Sequence, residues 1–235
     1  MNSTRRAKMS AKIILIIAAS IAVISSICVS SSDPGLLQDF CVADFTSNVF
    51  VNGFPCKDPL LVTSDDFFYS GIDQPRSTDN QLGSNITIVG VNRIRGLNTL
   101  GIIIARIDYA PGGLNPPHYH PRASEVFTVI EGNLFAGFIT TNSDIGNTLY
   151  AKKLQKGDIF VFPQGLIHFQ FNIGSKRAVA TAAFGSQSPG LMTVPNAVFG
   201  SNPPVPAVIL AKAFQLNTTT IEWLQQQNWV KNFNY

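Results

Sequence analysis

The sequence predicts an all-β fold, an antiparallel sandwich or barrel, and three observations carry that expectation. Between Asn85 and about Phe184, short runs rich in β-branched and aromatic residues follow one another. Turn residues interrupt them at Pro111-Gly112-Gly113, Glu131-Gly132-Asn133, Lys156-Gly157-Asp158, Gln164-Gly165 and Ile173-Gly174-Ser175, a spacing typical of many short strands. Apolar residues make up 45% of the 235-residue chain and charged ones 13%, which excludes a disordered polymer and supplies a sizeable core.

The amino terminus reads as a leader. Arg5, Arg6, Lys8 and Lys12 precede an apolar run from Ile13 to Ile24, followed by Ser25, Ser26, Ser30, Ser31 and Ser32. This is the order of a secretory signal peptide over residues 1–32. A membrane anchor is the rival reading, but the apolar stretch is shorter than the roughly 20 residues a bilayer span needs. Cleavage near Ser32 leaves 13 basic against 14 acidic residues, so the basicity belongs mostly to the leader. No nucleic-acid partner is implied, and no membrane association after cleavage.

Residues 33–84 form an N-terminal extension marked by turns at Asp33-Pro34-Gly35, Asn52-Gly53 and Asp58-Pro59. Ser64 with Asp65-Asp66 predicts one short helical turn ending by Gly71. With Cys28 in the leader, Cys41 and Cys56 remain, either as a disulfide closing a short loop or as two free thiols. A bridge would be worth roughly 3 kcal/mol on the chain-entropy model. Asn85 and Asn217 head N-glycosylation sequons, whereas Asn2 leaves with the leader.

Residues 85–200 hold the expected strands: Ile86–Val91, Leu100–Tyr109, Glu125–Ile130, Asn133–Ile139, Leu149–Leu154, Asp158–Phe162, Ile167–Asn172 and Arg177–Phe184. Residues 201–235 change character. Pro206 opens an expected helix over Ala207–Phe214, and Thr219-Thr220-Ile221-Glu222 predicts a capping box and a helix through about Val230. These helices pack either on their own barrel or on a neighbouring subunit.

All three histidines sit in two segments of this strand-rich region. The first has Gly112, five residues, His118-Tyr119-His120, four residues, Glu125, six residues and Gly132. The second has Gly157, five residues, Pro163-Gln164-Gly165, two residues, His168, three residues and Asn172. His118 and His120 are two apart and share one face of an extended chain, which Pro116 and Pro117 enforce. Glu125 opens an apolar run, where a lone carboxylate is costly to bury and a cation removes the cost. Three imidazoles and a carboxylate without thiolate suit Mn or Fe with two positions left on an octahedral ion. Zn and Cu stay open, because loading follows availability. Each residue alone has a plainer reading, a hydrogen-bonded histidine or a solvated glutamate; the conjunction is what points to a metal.

Both segments match the two motifs of the cupin superfamily, and the wider chain resembles plant germins and germin-like proteins. The stretches carrying the resemblance are Asp39-Phe40-Cys41-Val42-Ala43-Asp44, Pro111-Gly112-Gly113-Leu114-Asn115-Pro116-Pro117-His118 and His168-Phe169-Gln170-Phe171-Asn172. It implies a cupin β-jelly-roll barrel and Mn(2+) held by His118, His120, Glu125 and His168. It also implies a Cys41–Cys56 disulfide, with Asn115 and Asn172 near the substrate pocket. C-terminal helices would clasp neighbours in a homohexamer, a trimer of dimers, in the apoplast or cell wall. The activities it implies are superoxide dismutation and oxalate oxidation. In oxalate-oxidising germins two asparagines orient the dicarboxylate; one corresponds to Asn115, the other to Ala105, which has no donor. Superoxide is therefore the expected small-molecule substrate. A non-enzymatic role, storage or cell-wall binding of a small acid as in related auxin-binding cupins, is the alternative. Lys156-Gly157-Asp158 resembles an adhesion tripeptide of the family but reads as a turn, and Arg122 as a solvated charge or an attractor of superoxide.

Overall fold

The computed structural model describes residues 38–142, 146–229 and 233–234. The expected leader lies outside the described residues. Two sheets make the body, a β-jelly-roll. In chain order the strands are β1 (Ser84–Val89), β2 (Ile103–Tyr109), β3 (Leu114–Tyr119), β4 (Glu125–Glu131), β5 (Asn133–Ile139), β6 (Leu149–Gln155), β7 (Ile159–Phe162), β8 (His168–Asn172), β9 (Ala178–Phe184), β10 (Met192–Thr193) and β11 (Phe233–Asn234). One sheet runs β11-β1-β2-β9-β4-β7 and the other β10-β3-β8-β5-β6. All pairings are antiparallel except the short parallel one between β1 and β11.

Strand alternation builds the core between the sheets. Ile103, Ala105, Ile107 and Tyr109 of β2 point inward, as do Ala178, Ala180, Ala182 and Phe184 of β9. The alanines of β9 leave space that Phe127 and Phe162 fill from neighbouring strands. Several strand limits shift from expectation for local reasons. The expected start of β2 at Leu100 moves to Ile103 because Thr99 and Gly101 both have positive φ and bend the chain first. β3 and β10 were not among the expected strands; Pro116 and Pro117, which lack N–H donors, hide β3 from a propensity reading.

The N-terminal extension is held in place without long elements. Cys41 and Cys56 are joined at 2.05 Å, and Ala43 bridges Cys56. The expected helical turn is a 3-10 turn over Ser64–Phe67, four residues short of Gly71, and its Asp66 carboxylate accepts from Thr63 N and Lys57 Nζ, both at 3.0 Å. Arg106, beside the buried Asp108, also donates to Asp73 O, which ties the extension across the outer face of β2.

At the C-terminus, α1 (Val194–Phe199), α2 (Ala207–Phe214) and α3 (Thr218–Gln225) enclose a small cluster of their own around Leu210, Ala211 and Ile221. Pro206 is the residue before α2. The cap of α3 is Asn217, whose side chain accepts from Thr220 N at 2.7 Å, and not the expected Thr219 capping box. The helix also ends at Gln225, short of Val230. Trp229 folds back, donating Nε1–H to Leu224 O at 3.1 Å and stacking on Phe199, so the last turn is capped by an indole.

Gly132 turns the chain from β4 into β5 at φ 84°, and a Cβ there would stand 2.6 Å from Ala178 Cβ. Gly132→Ala is therefore expected to lower unfolding free energy by roughly 1–3 kcal/mol, read from the urea midpoint; an unchanged midpoint would contradict the close approach.

Candidate metal centre

Each donor arrives on a different piece of backbone. His118 ends the inward face of β3 and lies opposite His168, the first residue of β8. The β-bulge between Asn115 and His118 falls on the two prolines, and it sets that pairing. His120 follows one residue past β3. Glu125 is the first residue of β4 in the opposite sheet, paired with Phe162 and Phe184. The centre thus spans the two sheets at one end of the barrel.

The four donor atoms lie within 4.8 Å of one another. Glu125 Oε2 is 3.3 Å from both His120 Nε2 and His168 Nε2. The Nδ1 atoms face backbone carbonyls: His118 to Pro116 O at 2.7 Å, His120 to Gly190 O at 2.5 Å and His168 to Leu166 O at 2.8 Å. A carbonyl only accepts, so each ring carries its proton on Nδ1 and turns the Nε2 lone pair to the centre. Lone pairs facing a carboxylate at that range repel unless a cation lies between them. Neighbouring ligands about 2.1–2.2 Å from one ion stand about 3 Å apart, close to the spacing seen here. The donor set fits a divalent first-row metal.

The electrostatics agree. Burial pushes the Glu125 carboxyl up, but a proton on the facing nitrogens of His120 and His168 outweighs it through hydrogen bonding and charge and brings it to about 2, and a cation between them takes the place of those protons. Burial, followed by the charges of His168 and His120, holds His118 well below the ordinary imidazole range. An ionised carboxylate beside a neutral imidazole is the state a metal ligates. Phe162 stacks on His168 at 4.4 Å between ring centres, and Phe184 meets His120 edge-on at 4.8 Å, so two aromatic walls fix the rings and keep water from their flanks.

A cavity of about 900 Å³ runs from the donors to the N-terminal disulfide loop. The donors themselves are only 1–7% exposed, so a small face of the cluster meets that cavity. Asn115 lines it, and its amide donates to Gln170 Oε1 at 2.7 Å. Ala105 faces inward and contributes no polar atom.

Of the other residues the sequence singles out, Arg122 also lines this cavity, whereas Asn172, Asn85, Asn217 and the Lys156-Gly157-Asp158 turn lie elsewhere. Asn172 sits at the far end of β8 and is spent on backbone: Nδ2 donates to Ala110 O and Lys176 O, and Oδ1 accepts from Gly174 N. Arg122 is exposed, and its guanidinium donates to Ser188 O and Ser188 Oγ, which holds the loop that carries Gly190. Lys156-Gly157-Asp158 is the turn between β6 and β7. Asn85 is half-buried and donates to Ser77 O, whereas Asn217 is exposed. The carbonyls of Pro116, Leu166 and Gly190 and the walls Phe162 and Phe184 had no sequence signal, apart from the prolines before His118.

Residues 70–222 match the cupin family. Among curated relatives, rice (Oryza sativa subsp. japonica) Germin-like protein 8-10 is 57% identical, covering 93% of this chain and 97% of the relative. Germin-like protein 8-8 of the same plant is 60% identical over 86% of this chain and 90% of its own. Among solved structures, an oxalate oxidase in complex with the substrate analogue glycolate superposes with a TM-score of 0.80 at 43% identity, covering 83% of this chain and 96% of that one. Peruvianin-I, described as a cysteine peptidase from Thevetia peruviana latex, superposes at 0.65 with 46% identity over 69% and 98%.

Removing a donor should empty the centre. His168→Ala and Glu125→Gln, produced in medium with added manganese, are expected to carry less than about a tenth of the parent's metal by elemental analysis. Parent-level content in both variants would contradict the four-donor arrangement.

Proposed function

The chain belongs to the cupin family and, within it, to the germin-like proteins, and from that premise we propose that it is a secreted manganese protein that dismutes superoxide in the apoplast and cell wall. Manganese bound there supplies a one-electron Mn(II)/Mn(III) couple. The residues do the rest. Three neutral imidazoles and one carboxylate grip the ion, and Glu125 brings the single negative charge that favours its more oxidised form. Phe162 and Phe184 exclude water from the sides.

One observation carries the choice of reaction: a barely exposed donor cluster opens onto a wall of Ile88, Ile103, Ala105 and Ile107, with Asn115 as the nearby amide. A diatomic anion needs only an open position on the ion, whereas a dicarboxylate needs donors at both ends. Ala105 offers none. Oxalate oxidation is the second reading, favoured by the likeness to the glycolate-bound oxidase. Cysteine peptidase chemistry gains no support, because Cys41 and Cys56 are bonded to each other and offer no thiolate. A non-enzymatic small-acid binder would use the same ion as an anchor.

The leader pattern and the disulfide support export to an oxidising compartment. Among the described residues no helix is long and apolar enough to cross a membrane. Of the two sequons, exposed Asn217 is the better-placed glycan acceptor; its Oδ1 caps α3 and leaves Nδ2 for the sugar. Exposed apolar side chains on the C-terminal helices, Val208, Ile209, Phe214 and Trp223, support burial against further copies in a homohexamer.

The test runs both reactions on one manganese-loaded preparation. Superoxide removal that survives cyanide and disappears on metal stripping is the expected result, with no oxalate-dependent peroxide. Peroxide release from oxalate would overturn the argument from Ala105, and manganese without superoxide removal would favour the binding role.

A further inference from the structure

The acceptor that orients His120 does not come from its own strand. Gly190 O belongs to the loop after β9, 70 residues further on. That loop is held at two points. Arg122 grips Ser188 from one side. On the other side Gln187 accepts from Thr99 N and donates to Asn98 Oδ1 at 3.4 Å. Thr99 is β-branched yet stands at φ 67°, a conformation such residues avoid and keep only where surroundings impose it. Asn98 is fully buried and completes the connection: its Nδ2 donates to Phe54 O at 2.8 Å and lies 3.3 Å from Cys41 Sγ. Phe54 lies inside the loop that the Cys41–Cys56 disulfide closes, and Gln187, Phe54 and both cysteines line the cavity that leads to the donors.

We propose that Asn98 and Gln187 are positioning residues that couple the Cys41–Cys56 disulfide to His120, so that reduction of the disulfide loosens the protein's hold on its metal. The inference rests on the metal reading of the four donors. The chemistry requires an external dithiol. Its thiolate attacks the exposed Cys56 sulfur and expels Cys41 as a thiolate, and its second thiol then releases Cys56. The protein gains two electrons and two protons, and the dithiol becomes a cyclic disulfide. With the loop no longer closed, Phe54 and Cys41 cease to fix Asn98. Gln187 loses its fixed partner, and Gly190 O no longer holds the His120 ring at one angle. A chain that keeps manganese in an oxidising compartment and yields it in a reducing one follows from this connection.

The experiment uses the full mature chain loaded with manganese and challenged with excess EDTA. Manganese retained by the protein is followed by elemental analysis of aliquots desalted at timed intervals, and folding is monitored by circular dichroism. Oxidised protein should release manganese slowly. Dithiothreitol should speed release about tenfold, and Gln187→Ala with its disulfide intact should do the same. Because both act along one connection, reducing Gln187→Ala should add less than about twofold. The bound Mn(II) spectrum of Gln187→Ala should shift in the same direction as that of the reduced parent, a change that lowered stability alone would not produce. If the reduced parent fails to fold, the folded Gln187→Ala protein decides. Parent-rate release from that variant, or a full tenfold effect of dithiothreitol within it, overturns the coupling. A parent chain that takes up no manganese at all overturns instead the metal reading on which the coupling rests.

Discussion

The structure turns on the cost of burying Glu125 against three imidazole lone pairs. A carboxylate 3% exposed faces two Nε2 atoms at 3.3 Å, and with the ring protons on Nδ1 it needs a cation between itself and those nitrogens. A divalent cation turns that arrangement from repulsive to attractive. Much of the surrounding architecture serves it. The prolines before His118 set its register against His168, three carbonyls fix the tautomers, and two phenylalanines fix the ring planes. The centre joins the two sheets at this end of the barrel, because Glu125 lies on one and His118 and His168 on the other.

Selectivity follows from what surrounds the donors more than from the donors themselves. The same three-histidine, one-glutamate set serves any reaction that needs a redox ion with open positions. Here Ala105 and its isoleucine neighbours make one wall of the approach apolar, Arg122 and Gln187 line it further out, and Asn115 is tied to Gln170. The proposed preference for a small anion without directional demands rests on that apolar wall. The disulfide loop lines the outer part of the same cavity, so the proposed redox coupling and the approach to the donors share one region.

Much of this was legible in the sequence, because period-2 burial and motif spacing are local signals. Asn133–Ile139 is found at its expected limits, and six of the other expected strands differ by only one or two residues at either end. The convergence of His118, His120, Glu125 and His168 was readable from two spacings, and the Cys41–Cys56 disulfide from the family resemblance, cysteine counting alone having left two free thiols open. What escaped was decided by long-range contact. β3 carries two prolines that no strand propensity favours, and pairing with β8 on one side and β10 on the other makes it a strand. Trp229 ends α3 early through a contact with Phe199, and Asn217 takes the capping role because it sits one residue before the helix. Gly190 serves His120 from 70 residues away, and a carbonyl has no sequence signature. Asn172 lies in the second motif, yet its side chain fastens turns at the opposite end of β8.

The decisive observation is an anomalous difference map from crystals of the manganese-loaded protein, recorded on both sides of the manganese absorption edge. One peak per chain, within bonding distance of the three Nε2 atoms and a Glu125 oxygen, is the result this account predicts. A map with no peak there, or with the imidazoles turned from a shared point, would contradict it.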